Sequence, residues 1–265
     1  IGDARSRLYA LHRQRQGHWH WHVGASVSKF GDRNVPQESF TYNTRVLDIE
    51  EGRLANTAGR GGHAVLGARW ETAERGLLSL DLRVSDVLQG LFPGIIGVPI
   101  QSDIRGDGDR LSVDIPNQQA RRIQLAGKWI RTGILDRSVR VSLSRNLRIE
   151  SAPPHAHGYG PEPDSNLSLQ LDERHVFVES RWEGIHGAFG FQVEHLDGRT
   201  SGWEFLLPTH LRTRVSAIAD RKWKAGRIGL RLDGVSVSNE DYTEPLYAAD
   251  GTVVGDDVRA TALDR

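Results

Sequence analysis

Two histidines two residues apart, His155 and His157, sit in the stretch SAPPHAHGYGPEPDSN, with Tyr159, Glu162 and Asp164 close behind. Imidazole and carboxylate groups ligate zinc, copper or nickel, and a loop rich in proline and glycine can present them outward. His155 and His157 are therefore the candidate metal ligands. With Tyr159, Trp203 and Phe205 they form the candidate ligand-binding set, Trp203 and Phe205 offering faces on which a ligand could stack or neighbouring loops could pack. Spacing fixes no third metal ligand, and a loop whose histidines only meet water is the alternative. A second cluster, His18, His20 and His22 in HWHWH, reads differently. On a strand these side chains share one side at intervals of about 7 Å, too wide for all three to hold one ion, so a polar stripe is expected. Asp107 and Asp109, with Gly106 and Gly108 beside them, suggest a calcium-type turn but lack the closing glutamate of an EF-hand loop; a solvated acidic turn is expected. No GxSxG, HExxH or phosphate-binding glycine loop occurs, so the reading is of a protein that is not an enzyme and carries no cofactor.

These residues need elements to hold them, and the pattern supplies strands. In SVRVSLSRNLRIE, Val139, Val141 and Leu143 alternate with Arg140, Ser142 and Ser144. In LSLQLDERHVFVESRWE, Leu167, Leu169 and Leu171 alternate with Ser168, Gln170 and Asp172. Period-two alternation gives a strand one apolar and one polar face. HWHWHVGASVSKF repeats the pattern, with Trp19, Trp21, Val23, Ala25 and Val27 on one face. LLSLDLRVSDV repeats it with Leu78, Leu80, Leu82 and Val84 opposite Ser79, Asp81, Arg83 and Ser85. Further strands are expected at Leu8–Arg13, His63–Trp70, Arg121–Arg131, 187–198, Arg214–Trp223 and 227–239, and a loop-like tail from Glu240.

About ten strands result, of roughly 9–13 residues, and their connections alternate short and long. That is the arrangement of an outer-membrane barrel, with short periplasmic turns and long extracellular loops. Trp70, Trp129, Trp182 and Trp223 all precede short connections, where an aromatic girdle would sit at headgroup level. The fold class expected is all-β, an antiparallel up-and-down transmembrane β-barrel portion. A soluble β-sandwich binding carbohydrate or another ligand is the alternative, and it requires Trp21, Leu80 and Val141 to meet in a dry core. A passive porin is a third reading.

Composition agrees with these limits. The 265 residues carry no net charge, which argues against nucleic-acid binding, and no cysteine, which excludes disulfides and thiolate sites. No run of about 18 apolar residues occurs, so no transmembrane helix is expected.

Four segments carry a resemblance. They are GLFPGIIGVP, DIPNQQARRIQLAGKW, SLSRNLRIESAPPHAHGYGPEPDSNLSLQLD and GWEFLLP, in that order between Gly90 and Tyr247. Together they resemble the TonB-dependent receptors of Gram-negative outer membranes. The resemblance implies a single barrel domain of which residues 1–265 are a part, with a plug and remaining strands lying outside this sequence. It implies outer-membrane lipid as surroundings and an inner-membrane TonB-type energy-coupling complex as partner. It also implies uptake of a scarce small molecule, a ferric siderophore or another metal chelate.

Overall fold

In a computed structural model, the structure describes residues 5–34, 39–42, 45–48, 53–54, 56–72, 74, 76–91, 113–152, 167–202, 208–239, 242–247, 253–260 and 263–264. Among them there is no helix; every regular element is a β-strand. The long strands are β1 (Arg5–Gln16) and β2 (Trp19–Phe30). After the short pieces β3 (Arg33–Asn34), β4 (Ser39–Tyr42), β5 (Arg45–Asp48) and β6 (Arg53–Leu54) come β7 (Gly59–Thr72), β8 (Gly76–Gly90), β9 (Asn117–Arg131) and β10 (Asp136–Ala152). Then follow β11 (Leu167–Gly184), β12 (Gly187–Gly202), β13 (His210–Trp223) and β14 (Gly226–Asn239). β15 (Tyr242–Tyr247), β16 (Val253–Ala260) and β17 (Leu263–Asp264) close the described chain.

One antiparallel sheet runs β1-β2-β7-β8-β9-β10-β11-β12-β13-β14, each long strand beside the next in the chain, with β17 touching only Ser238 and Asn239. The connections between its long strands alternate without exception. Two to four residues join strands at one end, and 7 to 28 join them at the other. The expected up-and-down all-β sheet is therefore present. The strands, at 12 to 18 residues, outlast the 9–13 read from the pattern, because the ladders continue past the apolar stripe into the connections. The tail from Glu240 is not all loop: β15 and β16 pair there.

The registers set which residues share a face. Trp21, Ala68, Leu80, Gly127, Val141, Val178, Val193, Val215 and Gly234 form one row across nine strands. One residue along, His20, Arg69, Ser79, Lys128, Arg140, Glu179, Gln192, Ser216 and Asp233 form a row that is polar throughout, on the opposite face. Burial runs against the usual order. Trp21, Leu80 and Val141 are 50%, 51% and 39% exposed, while Ser216 is 1% exposed. Ala58, Ala188 and Pro116 are the only buried apolar side chains among the described residues. A sandwich core of Trp21, Leu80 and Val141 is thus absent. The polar face is the more enclosed one, as in a sheet that curls toward it.

Aromatic residues gather on the apolar face beside the short turns. Trp19 lies 6.1 Å from Trp70, and Trp182 stacks on Phe189 at 4.9 Å and meets Phe191 edge-on at 6.5 Å. Farther from the turns, the same face carries aliphatic rows and then charge: Arg121 pairs with Asp86 at 3.0 Å, and Arg145 grips Asp172 through two bonds of 2.8 and 2.9 Å.

That last pair corrects one reading. The face of β11 that continues from Val176 and Val178 leads to Arg174 and Asp172, so Leu169 and Leu171 lie on the polar face and not with the apolar rows. The gain is the bidentate Arg145–Asp172 pair, with Arg174 3.6 Å from the same carboxylate.

The most enclosed part of the molecule lies at the long-connection end. Asp32 accepts from the backbone N–H groups of Thr57 and Ala58 at 2.7 and 2.9 Å. The Asn56 amide donates to the carbonyls of Pro116 and Leu91 at 2.7 and 3.2 Å, and its Oδ1 accepts from the Asp114 N–H at 3.0 Å. Asn56 is left-handed at φ 55°, a region asparagine tolerates better than most side chains. A Cβ on Gly90 would sit 2.4 Å from the Asn56 carbonyl oxygen, so glycine there lets β8 end against it. This staple ties the β2–β7 connection to the β8–β9 connection.

Candidate functional site

His155, His157, Tyr159, Trp203 and Phe205 lie outside the described residues, as do Glu162, Asp164, Asp107 and Asp109. Among the described residues no three His, Asp or Glu side chains converge as metal ligands. The chemistry that is present lies on the polar face.

That face divides by charge. From β1 to β10 its described positions carry nine cations: Arg7, Arg13, Arg15, Arg69, Arg83, Arg122, Lys128, Arg140 and Arg148. They face four carboxylates, Glu71, Asp81, Asp136 and Glu150. From β11 to β14 the face is balanced, with six of each sign. There the pairs are close. Lys222 meets Glu183 at 2.6 Å, Arg227 meets Asp220 at 2.5 Å, and Arg212 and His175 reach Glu194 at 3.0 and 3.1 Å. Asp233 accepts from Arg214, Ser216 and Arg231 at 3.1, 2.5 and 2.9 Å. Opposite charges on neighbouring strands hold such a ladder together and fix side-chain positions on a wetted face.

His20 and His22 take the polar side, as their spacing predicts. The His22 ring folds across to β8, its Nε2 3.6 Å from the Asp81 carboxylate. It can do so because its direct partner on β7 is Gly67. A Cβ there would lie 2.1 Å from the His22 ring and 2.7 Å from Asp81 Oδ1. The same device recurs where the His210 ring covers Gly198. Gly67→Ala is therefore expected to keep the strand and swing the flexible ring off Asp81. The rate of His22 modification by diethyl pyrocarbonate should rise, and an unchanged rate would show that the ring does not depend on this gap.

The charge division is not visible in the sequence, since it follows from which strands neighbour which. Alternation alone gives each strand its polar residues; the partition emerges once the register aligns ten strands.

The chain matches no protein-family model, no curated protein and no solved structure.

Proposed function

We propose that this chain is the wall of a transmembrane β-barrel in an outer membrane and serves uptake of a scarce solute. The observation that carries the reading is the inverted polarity of the sheet: aromatic and aliphatic rows on the open face, charged rows on the enclosed face. Lipid satisfies the first and a water-filled interior the second. A further feature supports it. The exposed apolar stripe centres on Val23 in β2 and on Leu230 in β14, yet Val23's register row reaches β14 at Ser236. The stripe thus drifts six residues over eight strand steps, which at ordinary strand spacings is a slope of about 30°. A horizontal oily layer crossing tilted strands produces such a drift, and barrel strands in membranes tilt by about 35–45°. Arg131 and Arg137, in the row of Trp182 beyond the apolar stripe, suit the headgroup level, where long cationic side chains reach water.

The resemblance to TonB-dependent receptors gives the reading its specific form: energy-coupled import of a metal complex, driven by an inner-membrane partner and gripped first by the long-connection end. The absence of cysteine makes the wall easy to test. In the full chain reconstituted in lipid vesicles, Leu80→Cys, Val141→Cys and Val193→Cys should carry a fluorophore that lipid-borne quenchers reach. Ser79→Cys, Ser142→Cys and Gln192→Cys should react with a water-soluble maleimide instead. Labelling that ignores this alternation ends the proposal. For the uptake arm, cells producing the protein should accumulate a ferric siderophore only while the coupling complex is active; accumulation indifferent to the complex would favour a passive pore.

A further inference from the structure

Near the short turns, the polar face of β1, β2, β7, β8 and β9 encloses a concavity of about 840 Å³. Its wall carries Arg13, Arg15, His20, His22, Arg69 and Lys128, with Asp81 and Glu71 the acids among them. The register makes the crowding explicit. Arg15, His20, Arg69, Ser79, Lys128 and Arg140 occupy successive places in one row, with neighbouring strands about 4.8 Å apart. Lys128 stands directly opposite Arg140, and like charges so placed repel. Arg140 is relieved by Glu179 at 3.7 Å and Arg69 by Glu71 at 3.1 Å. Arg13, Arg15 and Lys128 make no ion pair among the described residues. The other half of the same face matches every cation with an acid, so the excess is local.

We infer that this concavity is a binding site for a small polyanion bearing phosphate or carboxylate groups. The inference rests on the polar face being wetted, as proposed above, and places a second site far along the strands from the long connections. Guanidinium groups suit bidentate capture of either oxyanion, and Lys128 adds a point charge. Two or more negative groups are required, because the cations span several strands and one anion reaches only a pair of them. A low-dielectric wall around the concavity strengthens the attraction.

The native chain supplies its own test, having only four lysines: Lys29, Lys128, Lys222 and Lys224. In detergent micelles, acylation by a water-soluble ester is followed at each lysine by mass spectrometry, with and without tripolyphosphate or benzene-1,3,5-tricarboxylate. Ionic strength is matched with chloride. The site predicts slowing at Lys128 by at least about fivefold, with Lys29 and Lys224 unchanged; the more protective probe identifies the preferred oxyanion. Calorimetry on the Lys128→Gln, Arg69→Gln double variant should show binding weaker by at least about tenfold, while Arg231→Gln, in the balanced half, leaves it unchanged. The Lys128→Arg variant should retain binding, which guards against loss through misfolding. No protection of Lys128 by either probe, or equal loss in Arg231→Gln, overturns the site. Failure here leaves the lipid labelling of Leu80→Cys intact, so the two readings fall separately.

Discussion

If the sheet is the membrane wall proposed above, arginine at Val141 is expected to cost about 2–4 kcal/mol, whereas arginine at Ser142, the next residue, is expected to cost about 1 kcal/mol or less. Both residues lie mid-strand in β10, in neighbouring rows of the same ladder. Propensity and distance from the ends barely differ, so the contrast isolates what each face meets. Val141 stands between Gly127 and Val178, in the row that also holds Leu80 and Val193. A guanidinium there must enter hydrocarbon or bend toward the headgroups. At Ser142, which accepts a bond from Gln124 at 3.2 Å, the same group loses one modest hydrogen bond and remains in water. The measurement is urea unfolding in lipid vesicles, followed by tryptophan fluorescence. Equal costs at the two positions would refute the two-faced wall.

Asn56→Ala should destabilise the protein by about 3 kcal/mol. Two contributions combine. The substitution leaves the enclosed carbonyls of Pro116 and Leu91 and the Asp114 N–H without the amide that serves them, at about 1–3 kcal/mol. It also places a Cβ with no compensating polar group at φ 55°, at about 1 kcal/mol. Asn56→Gly removes only the first contribution and should recover about 1 kcal/mol of the loss. Urea midpoints in micelles give both numbers. Proteolytic cleavage between β8 and β9 should quicken in the same order, alanine variant first. A glycine variant as stable as the parent would show that the amide bonds contribute nothing.

Much of this architecture is legible in the sequence because a sheet with one apolar and one polar face must alternate. Trp19 to Val27 in β2 and Leu78 to Val84 in β8 declare both strand and face, and Trp70, Trp129, Trp182 and Trp223 mark the short-turn end. In β11 the phase is ambiguous, since the run from His175 to Val178 puts bulky residues on both sides, and a one-residue choice reverses every side chain. The Leu167–Leu171 alternation suggests one phase and Val176–Val178 the other. The structure follows the valines, and beyond the apolar stripe Arg145 rewards Asp172 for sharing their face. The Asp32–Asn56 staple leaves no periodic trace; its partners are separated by 25 to 60 residues and meet only once β2, β7 and β8 align. The charge partition of the polar face is hidden for the same reason. The His155–His157 pair and Trp203–Phe205, singled out by residue type, lie outside the described residues.

The first and last long strands of the sheet have consequences of their own. Among the described residues, β1 hydrogen-bonds only to β2, and β14 pairs with β13 and touches β17 at two residues. Each therefore presents a border of peptide groups, and hydrocarbon offers them no water to bond. In a bilayer, these two seams must be zipped shut, by one another or by further strands, whether of this protein or of another polypeptide. Insertion and seam closure should then occur as a single event, so that a peptide mimicking either border would arrest assembly at the membrane surface.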